Sequence, residues 1–170
     1  GRHTSITAPS RGGQRRTLER AYIQAQVRPS DCDLFEAHGT GTAVGDVIEC
    51  ETLGAVLRAD GASRGSKSLG SVKSMIGHTK SAAGVAGLIK AALAVYHGVL
   101  PATLHVEKPN PKCGFDDSPL HPNTQTRPWT KTEGLRTAGV SAFGFGGTNF
   151  HAVVQEYQRA SEQNPWRTAS

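Results

Sequence analysis

Apolar residues recur along the chain at helical and strand spacings, and the pattern predicts alternating helices and strands. Residues 14–26 place Leu18, Ala21, Tyr22 and Ala25 at the i, i+3, i+4, i+7 spacing of an amphipathic helix. Residues 137–143 and 149–157 alternate apolar and polar positions, which predicts two strands joined by a glycine-rich turn. The chain therefore mixes both periodicities, which is typical of an α/β layered fold.

The remaining segments complete this alternation. The pattern predicts strands at residues 33–38, 69–72 and 100–106, a helix at residues 46–58, and a longer helix that begins within residues 73–78 and ends near residue 96. Residues 109–128 are rich in proline and asparagine, and we expect a long loop there.

The longer helix has almost no polar face. Residues 82–94 are alanine, glycine and larger aliphatic residues with one lysine, Lys90, so we expect the helix to be buried on most sides. The stretch is too short to cross a bilayer, and Lys90 interrupts it. Insertion into a membrane is therefore excluded.

Composition and charge narrow the functional classes. Of 170 residues, 36% are hydrophobic, 20 are glycine and 9 are proline, which suits a globular domain with many turns. The net charge of +5 permits nucleic-acid binding, but the basic residues are scattered apart from one short cluster. That cluster, Arg11, Arg15, Arg16 and Arg20, favours the solvated face of a helix.

Cysteine usage indicates the cellular setting. Cys32, Cys50 and Cys113 are too few and too irregularly spaced for a disulfide framework or a zinc site. We expect a reducing, cytoplasmic setting and no bound metal.

Three glycine-rich turns each follow a predicted strand, where α/β sheets place their ligands. They span residues 38–42, 76–78 and 143–149, and two of them carry a histidine, His38 or His78. Lys73 precedes His78 by five residues. Taken singly, His38 could be a turn histidine bound to a backbone carbonyl, and Lys73 could be a surface lysine.

Together these turns suggest chemistry at a carbonyl group. Two neutral histidines can donate ring N–H groups to an oxygen on which charge develops, and a glycine-rich loop can present backbone N–H groups to a second oxygen. Such a site suits acyl transfer or carbanion formation. A nucleophile is missing, because none of the three cysteines lies at a sharp strand-to-helix turn.

The same segments carry a family resemblance. Residues 36–46, 72–79 and 139–149 resemble the β-ketoacyl synthases, above all the ketosynthase domains of polyketide synthases. Residues 100–106 and 109–111 are also similar to that family. The match runs from about residue 1 to residue 157 in the family's order and spacing.

The resemblance implies a thiolase-like fold. In that fold two βαβαβαββ halves pack into a five-layer α/β/α/β/α sandwich, and this chain corresponds to the C-terminal half at residues 1–157, with residues 158–170 as a linker leaving the domain. The family's nucleophilic cysteine belongs to the N-terminal half and has no counterpart here. The resemblance therefore implies a fragment that is inactive alone.

The resemblance also assigns catalytic roles. The family is an acyltransferase class (β-ketoacyl-[acyl-carrier-protein] synthase, EC 2.3.1) of fatty acid and polyketide biosynthesis, which performs decarboxylative Claisen condensation. His38 and His78 would stabilise the enolate formed from a malonyl-type extender, and Lys73 would orient them. The backbone N–H of Phe145 would complete the oxyanion hole with that of the missing cysteine, and its ring would gate the acyl pocket.

Further residues, partners and cofactors follow from the same resemblance. Substrate or pantetheine binding would fall to Thr40, Thr42, Phe143, Gly146 and Asn149, with the two threonines on the phosphopantetheine arm and Asn149 supporting its loop. The domain would bind no cofactor itself, because an acyl carrier protein delivers the substrate on its phosphopantetheine. The expected partners are the N-terminal half, that carrier protein and a second copy in a homodimer, without nucleic acid or membrane.

One departure and one alternative accompany this interpretation. Fatty-acid elongation synthases carry a glutamate where this chain has Gly87, which favours the polyketide type and puts a Lys73–glutamate pair in doubt. The alternative function is a non-catalytic, chain-length-factor-like homologue that acts as a structural partner. Retention of His38, His78 and Lys73 argues against that alternative.

Overall fold

A mixed five-stranded sheet with helices on both faces forms the centre of the molecule. The computed structural model describes residues 8–158. The helices are α1 (Arg11–Ala25), α2 (Gly45–Ala59), the single turn α3 (Lys73–Ile76) and α4 (Ala83–His97). The strands are β1 (Leu34–Glu36), β2 (Lys67–Gly70), β3 (Val99–Leu100), β4 (Leu120–Pro122), β5 (Arg127–Pro128), β6 (Thr137–Phe143) and β7 (Asn149–Gln155).

Strand order places the glycine-rich turns at one edge. The main sheet has the order β4-β2-β1-β6-β7, and β3 pairs with β5 in a separate two-stranded ribbon. β1 is parallel to β2 and to β6, with Leu34 opposite Ser68 on one side and Ala138 on the other. The carboxyl ends of β1, β2 and β6 therefore lie side by side.

Two apolar layers hold the helices to the sheet. On one face, Phe35 packs with Leu57 and other side chains of α1 and α2, and both residues are almost inaccessible to solvent. On the other face, Leu34 and Val140 pack with Ala91 of α4. This α/β layering agrees with the fold class expected from the sequence.

The strongest sequence patterns predicted their elements well. α1 begins at Arg11, three residues before its predicted start, because Ser10 caps it by accepting a hydrogen bond from the Gly13 N–H at 3.1 Å. The helix ends at Ala25, and the next residue, Gln26, has a left-handed backbone with φ 54°. β6 occupies its predicted range, and β7 ends at Gln155 rather than at residue 157.

Weaker patterns were misread in three places. The predicted helix over residues 73–96 is broken, because Gly77 has φ 72° and ends α3 after one turn. The predicted strand at residues 100–106 is only β3, and the rest is irregular. The predicted loop at residues 109–128 contains β4, an edge strand that pairs with β2 and buries Leu120 completely.

Two further expectations were a linker at the C-terminal end of the chain and the absence of a membrane-spanning helix. Apart from residue 158, the predicted linker at residues 158–170 lies outside the described residues. Within residues 8–158, no helix is both long enough and apolar enough to span a bilayer.

The outer side of α4 is apolar and uncovered within this chain. Gly87 and Ala91 face the sheet, whereas Val85, Ile89 and Leu93 on the opposite side are each more than half exposed. We call this surface the α4 face; it borders a shallow groove of about 600 Å³ with almost exclusively apolar walls. The helix thus has the all-round apolar character predicted, but only one side is buried.

We expect the isolated 170-residue chain to bind a hydrophobic fluorescent dye at the α4 face, because apolar patches this contiguous are rare on stable monomers. Ile89→Lys should lower the dye signal at least about twofold, since it places a charge in the centre of the patch. The matched control is Ile23→Lys on α1, whose side chain is exposed but lies elsewhere. A folded monomer without dye binding, or an equal effect of both variants, would contradict this expectation.

Candidate active site

A cavity of about 760 Å³ opens at the edge of the sheet where β1 and β2 end. Both histidine-bearing turns contribute to its wall, which includes Thr40, Thr42, Lys73 and His78. The cavity arises from the parallel pairing of β1 and β2, which delivers the two turns to the same edge.

The two histidines meet although 40 residues separate them in the sequence. The ring centroids of His38 and His78 lie 5.7 Å apart with the planes at 90°. The ring of Phe143, at the end of β6, lies 5.8 Å from that of His38. The end of β6 and the segments that follow β1 and β2 therefore bring one phenyl ring and two imidazoles together.

The surroundings favour a neutral His38 ring and orient the His78 ring. Burial lowers the pKa of His38 to about 4, and the nearby positive charge of Lys73 acts in the same direction. Nδ1 of His78 accepts a hydrogen bond from the Lys80 N–H at 3.0 Å, so a neutral His78 carries its proton on Nε2. Each ring can therefore act as a hydrogen-bond donor without being charged.

Lys73 is half-buried beside these rings. Burial lowers its pKa, and the carboxylates of Glu36, Glu49 and Asp46 oppose that shift. Among the described residues, no carboxylate oxygen lies within 4 Å of its ammonium group. The presence of Gly87 put a Lys73–glutamate pair in doubt, and this geometry agrees with the absence of such a pair among the described residues.

A different buried ion pair lies beneath the site. Glu36, which is 2% exposed, accepts hydrogen bonds from Lys90 Nζ at 2.8 Å and from the Val72 N–H at 2.5 Å. A Cβ at Gly87 would lie 3.0 Å from Cγ of Glu36, so the strand carboxylate occupies the space that a side chain on α4 would need. Sequence reasoning missed this pair, because helix and strand periodicity do not show which charged residues face each other.

The first turns of α2 hold the turn that follows β1. Glu49 accepts hydrogen bonds from the backbone N–H groups of His38 at 2.8 Å and Gly39 at 3.0 Å. Asp46 accepts one from the Gly41 N–H at 3.1 Å. The sequence signal was available, since acidic residues early in a helix commonly satisfy backbone donors nearby.

The two threonines predicted to bind pantetheine lie on that same turn. Thr42 accepts a hydrogen bond from the Gly45 N–H at 3.2 Å, and its hydroxyl lies 3.2 Å from that of Thr40. Both side chains are exposed to the cavity. They border the space in which a ligand would lie.

The glycine-rich turn between β6 and β7 follows Phe143 and does not line the cavity. Phe145 is 78% exposed, and Gly146 has φ 70°. Asn149 lies against α1, with Nδ2 3.0 Å from the position of a Cβ on Gly13. The structure therefore brings His38, His78, Lys73 and Phe143 close together, and Phe145, Gly146 and Asn149 are not among the residues that line the cavity.

None of the cysteines provides an activated thiolate. Burial raises the pKa of the Cys32 thiol to about 12. Cys50 and Cys113 border the cavity, but burial raises the pKa of both thiols above the usual range. No group of three metal-ligating side chains occurs among residues 8–158.

Comparison with known proteins identifies the family. The profile of "Beta-ketoacyl synthase, C-terminal domain" matches residues 1–107, and that of "Ketoacyl-synthetase C-terminal extension" matches residues 109–169. Polyketide synthase GfsA of Streptomyces halstedii is 45% identical over 169 residues, which is 99% of this chain and 2% of that protein. Erythronolide synthase EryA3 of Saccharopolyspora erythraea is 46% identical over 168 residues, which is 97% of this chain and 5% of that protein.

Solved structures that resemble this chain are also ketosynthases. The ketosynthase from module 6 of the bacillaene synthase of Bacillus subtilis 168 is 43% identical with a TM-score of 0.88, covering 93% of this chain and 29% of that one. Ketosynthase twelve of the bacillaene polyketide synthase of Bacillus amyloliquefaciens gives 35% identity and a TM-score of 0.89, covering 93% and 28%. The chain thus spans under a third of these ketosynthases and a few percent of the curated relatives. Sequence, fold and family profile agree, so the chain belongs to the β-ketoacyl synthase family, in which it matches the C-terminal domain.

Proposed function

We propose that residues 1–157 form the C-terminal half of a polyketide-type ketosynthase domain, and that residues 158–170 lead out of it. In this proposal the chain supplies the His38, His78 and Lys73 part of a site for decarboxylative Claisen condensation. The observation that carries the proposal is the perpendicular approach of the two imidazoles, whose ring centroids lie 5.7 Å apart although they come from separate segments.

The proposed reaction consumes a malonyl-type thioester. Loss of CO₂ breaks the bond to the carboxyl carbon, and its electron pair becomes the enolate of the remaining thioester. The ring N–H groups of His38 and His78 would donate to the enolate oxygen, which lowers the free energy of the charged intermediate. The enolate carbon would then attack an acyl thioester, form the new C–C bond and release the thiolate.

Lys73 would support this step by its charge. A cation close to His38 disfavours a second positive charge there, which agrees with the depressed pKa of that imidazole. The histidine therefore stays a neutral donor rather than becoming an acid that could quench the enolate. The N–H of Phe145 is proposed as one donor to the oxyanion of the acylated nucleophile.

The nucleophilic cysteine is proposed to come from an N-terminal half that this chain does not include. The protonated state of Cys50 and Cys113 supports that assignment. The α4 face supports a second half as partner, because an uncovered aliphatic surface is what the centre of a five-layer sandwich requires. The isolated chain is accordingly expected to be inactive.

Substrate delivery is proposed to use the phosphopantetheine of an acyl carrier protein. Thr40 and Thr42 border a cavity whose volume suits an extended arm. Phe143, Gly146 and Asn149 are proposed to shape the adjoining acyl pocket and its loop. The homodimer and the reducing, cytoplasmic setting remain predictions.

The first test is His38→Ala in the complete ketosynthase domain. We expect CO₂ release from malonyl carrier protein to fall at least about a hundredfold, because an enolate donor is removed. The matched control is His97→Ala, since His97 is exposed at the far end of α4, about 20 Å along the helix from its start beside the site. Unimpaired CO₂ release by His38→Ala would contradict the proposed role of His38, whereas a wild-type domain that releases no CO₂ would support the non-catalytic alternative.

The second test is the titration of His38 by ¹⁵N NMR of its ring, with His38→Ala to assign the resonance. We expect a midpoint near pH 4 and a neutral ring from pH 5.5 to 8, because burial and Lys73 disfavour the cation. Since the unfolded chain protonates this histidine at a higher pH, the contribution of His38 to the free energy of unfolding should fall as the pH drops from about 6.5 toward 4. A ring that is half-protonated near pH 6.5 would contradict its proposed role.

A further inference from the structure

Two cysteine side chains, Cys50 and Cys113, contact each other on the wall of the cavity. Cys50 lies on α2, and Cys113 ends a single 3₁₀ turn, Pro111–Cys113, which packs against α2. A side-chain hydrogen bond joins the two thiols, and both are free in this structure. Each residue is only 7% exposed, yet both belong to the lining of the cavity. A small molecule that enters the cavity can therefore reach this dithiol.

Backbone hydrogen bonds hold the Cys113 thiol against α2. The side chain of Asn110 accepts the Lys112 N–H at 3.0 Å, and its carbonyl accepts the Cys113 N–H at 3.0 Å. Gly114, with φ 62°, then redirects the chain, and Phe115 packs into the apolar cluster that contains both cysteines. Contacting sulfur atoms on two held segments are the geometry from which a disulfide forms, since its Cβ atoms lie about 4 Å apart.

The contact makes the two thiols chemically unequal. Burial raises the pKa of both, and the nearby carboxylates of Asp46 and Glu49 add to the rise. The hydrogen bond between the thiols raises the pKa of Cys50 further and lowers that of Cys113, because Cys50 donates its S–H to the Cys113 sulfur. Cys113 is therefore the sulfur that ionises first, and the thiolate is the form that attacks an oxidant.

We propose that Cys50 and Cys113 form a redox-modification site, at which a small hydroperoxide converts the dithiol into a reversible disulfide. The Cys113 thiolate attacks one oxygen of hydrogen peroxide, the O–O bond breaks, and a sulfenic acid and one water form. The Cys50 thiol then attacks that sulfur, its proton leaves with the hydroxyl group as a second water, and the S–S bond forms. Two thiols thereby lose two electrons and two protons, and a dithiol reductant reverses the reaction.

The disulfide would tie together two parts of the cavity wall. Lys108, Pro109 and Asn110 border the cavity just before the 3₁₀ turn, and the first turns of α2 border it on the other side of the pair. Cys32 is 0% exposed and is not among the residues that line the cavity, so a peroxide in the cavity does not reach it. The site depends on the contact between the two thiols and not on the proposed condensation.

The experiment treats the complete ketosynthase domain with hydrogen peroxide at pH 8, blocks the remaining thiols and maps the peptides without reduction. We expect a peptide pair linked through Cys50 and Cys113, about 2 Da lighter than the two reduced peptides and at least about tenfold more abundant than any link to Cys32. Dithiothreitol should remove this link. The amides of residues 113–117 should exchange at least about tenfold more slowly in the oxidised domain, because the cross-link opposes local opening.

Cys50→Ala and Cys113→Ala are compared with the matched control Cys32→Ala. Peroxide should leave amide exchange at residues 113–117 unchanged in the first two variants and slow it in the control as in the wild type. The absence of the link, equal linkage to Cys32 or to a cysteine outside this chain, or a link without slower exchange would overturn the proposal. If a variant does not fold, the peptide map and exchange of the wild type decide by the same criteria. A reduced wild-type domain that releases no CO₂ would overturn the proposed function alone.

Discussion

Parallel pairing of β1 with both β2 and β6 is the constraint on which the site depends. Neighbouring parallel strands end at the same edge, so the segments after β1, β2 and β6 have to meet there. This places the imidazole of His38 beside the rings of both His78 and Phe143, although more than one hundred residues separate His38 from Phe143. The proposed chemistry depends on this topology, because none of the three turns contains all of the proposed groups by itself.

The same arrangement buries backbone N–H groups that have no partner in the sheet, and buried carboxylates accept hydrogen bonds from them. Chain segments leaving the sheet carry N–H groups that no strand can satisfy, and leaving them unpaired would cost about 1–3 kcal/mol each. Glu36 accepts the Val72 N–H and is balanced by Lys90, whereas Glu49 serves the turn after β1 without a direct cationic partner. Two similar side chains thus have different electrostatic roles: one is half of an ion pair, and the other, whose pKa burial raises to about 7, can change its charge near neutral pH.

Sequence periodicity was sufficient where one face of an element is clearly apolar. It predicted α1, α2, β6 and β7 and the turns that carry the histidines. It failed for β4, since a three-residue strand containing histidine and proline has no readable period, and its place in the sheet depends on β2 alone. It also missed the Glu36–Lys90 pair, because 54 residues lie between the partners and only the packing of α4 on the sheet brings them together.

Because the chain is irregular between α3 and α4, the orientation of the His78 ring does not depend on how α4 packs. Each residue of a continuous helix turns by about 100°, so any slip of α4 in its register would swing His78 away from the site. Lys80, with φ 55°, interrupts the helical backbone between that residue and α4. The aliphatic surface of α4 can therefore drift during evolution, adapting to a differently shaped neighbour, while the imidazole retains its direction.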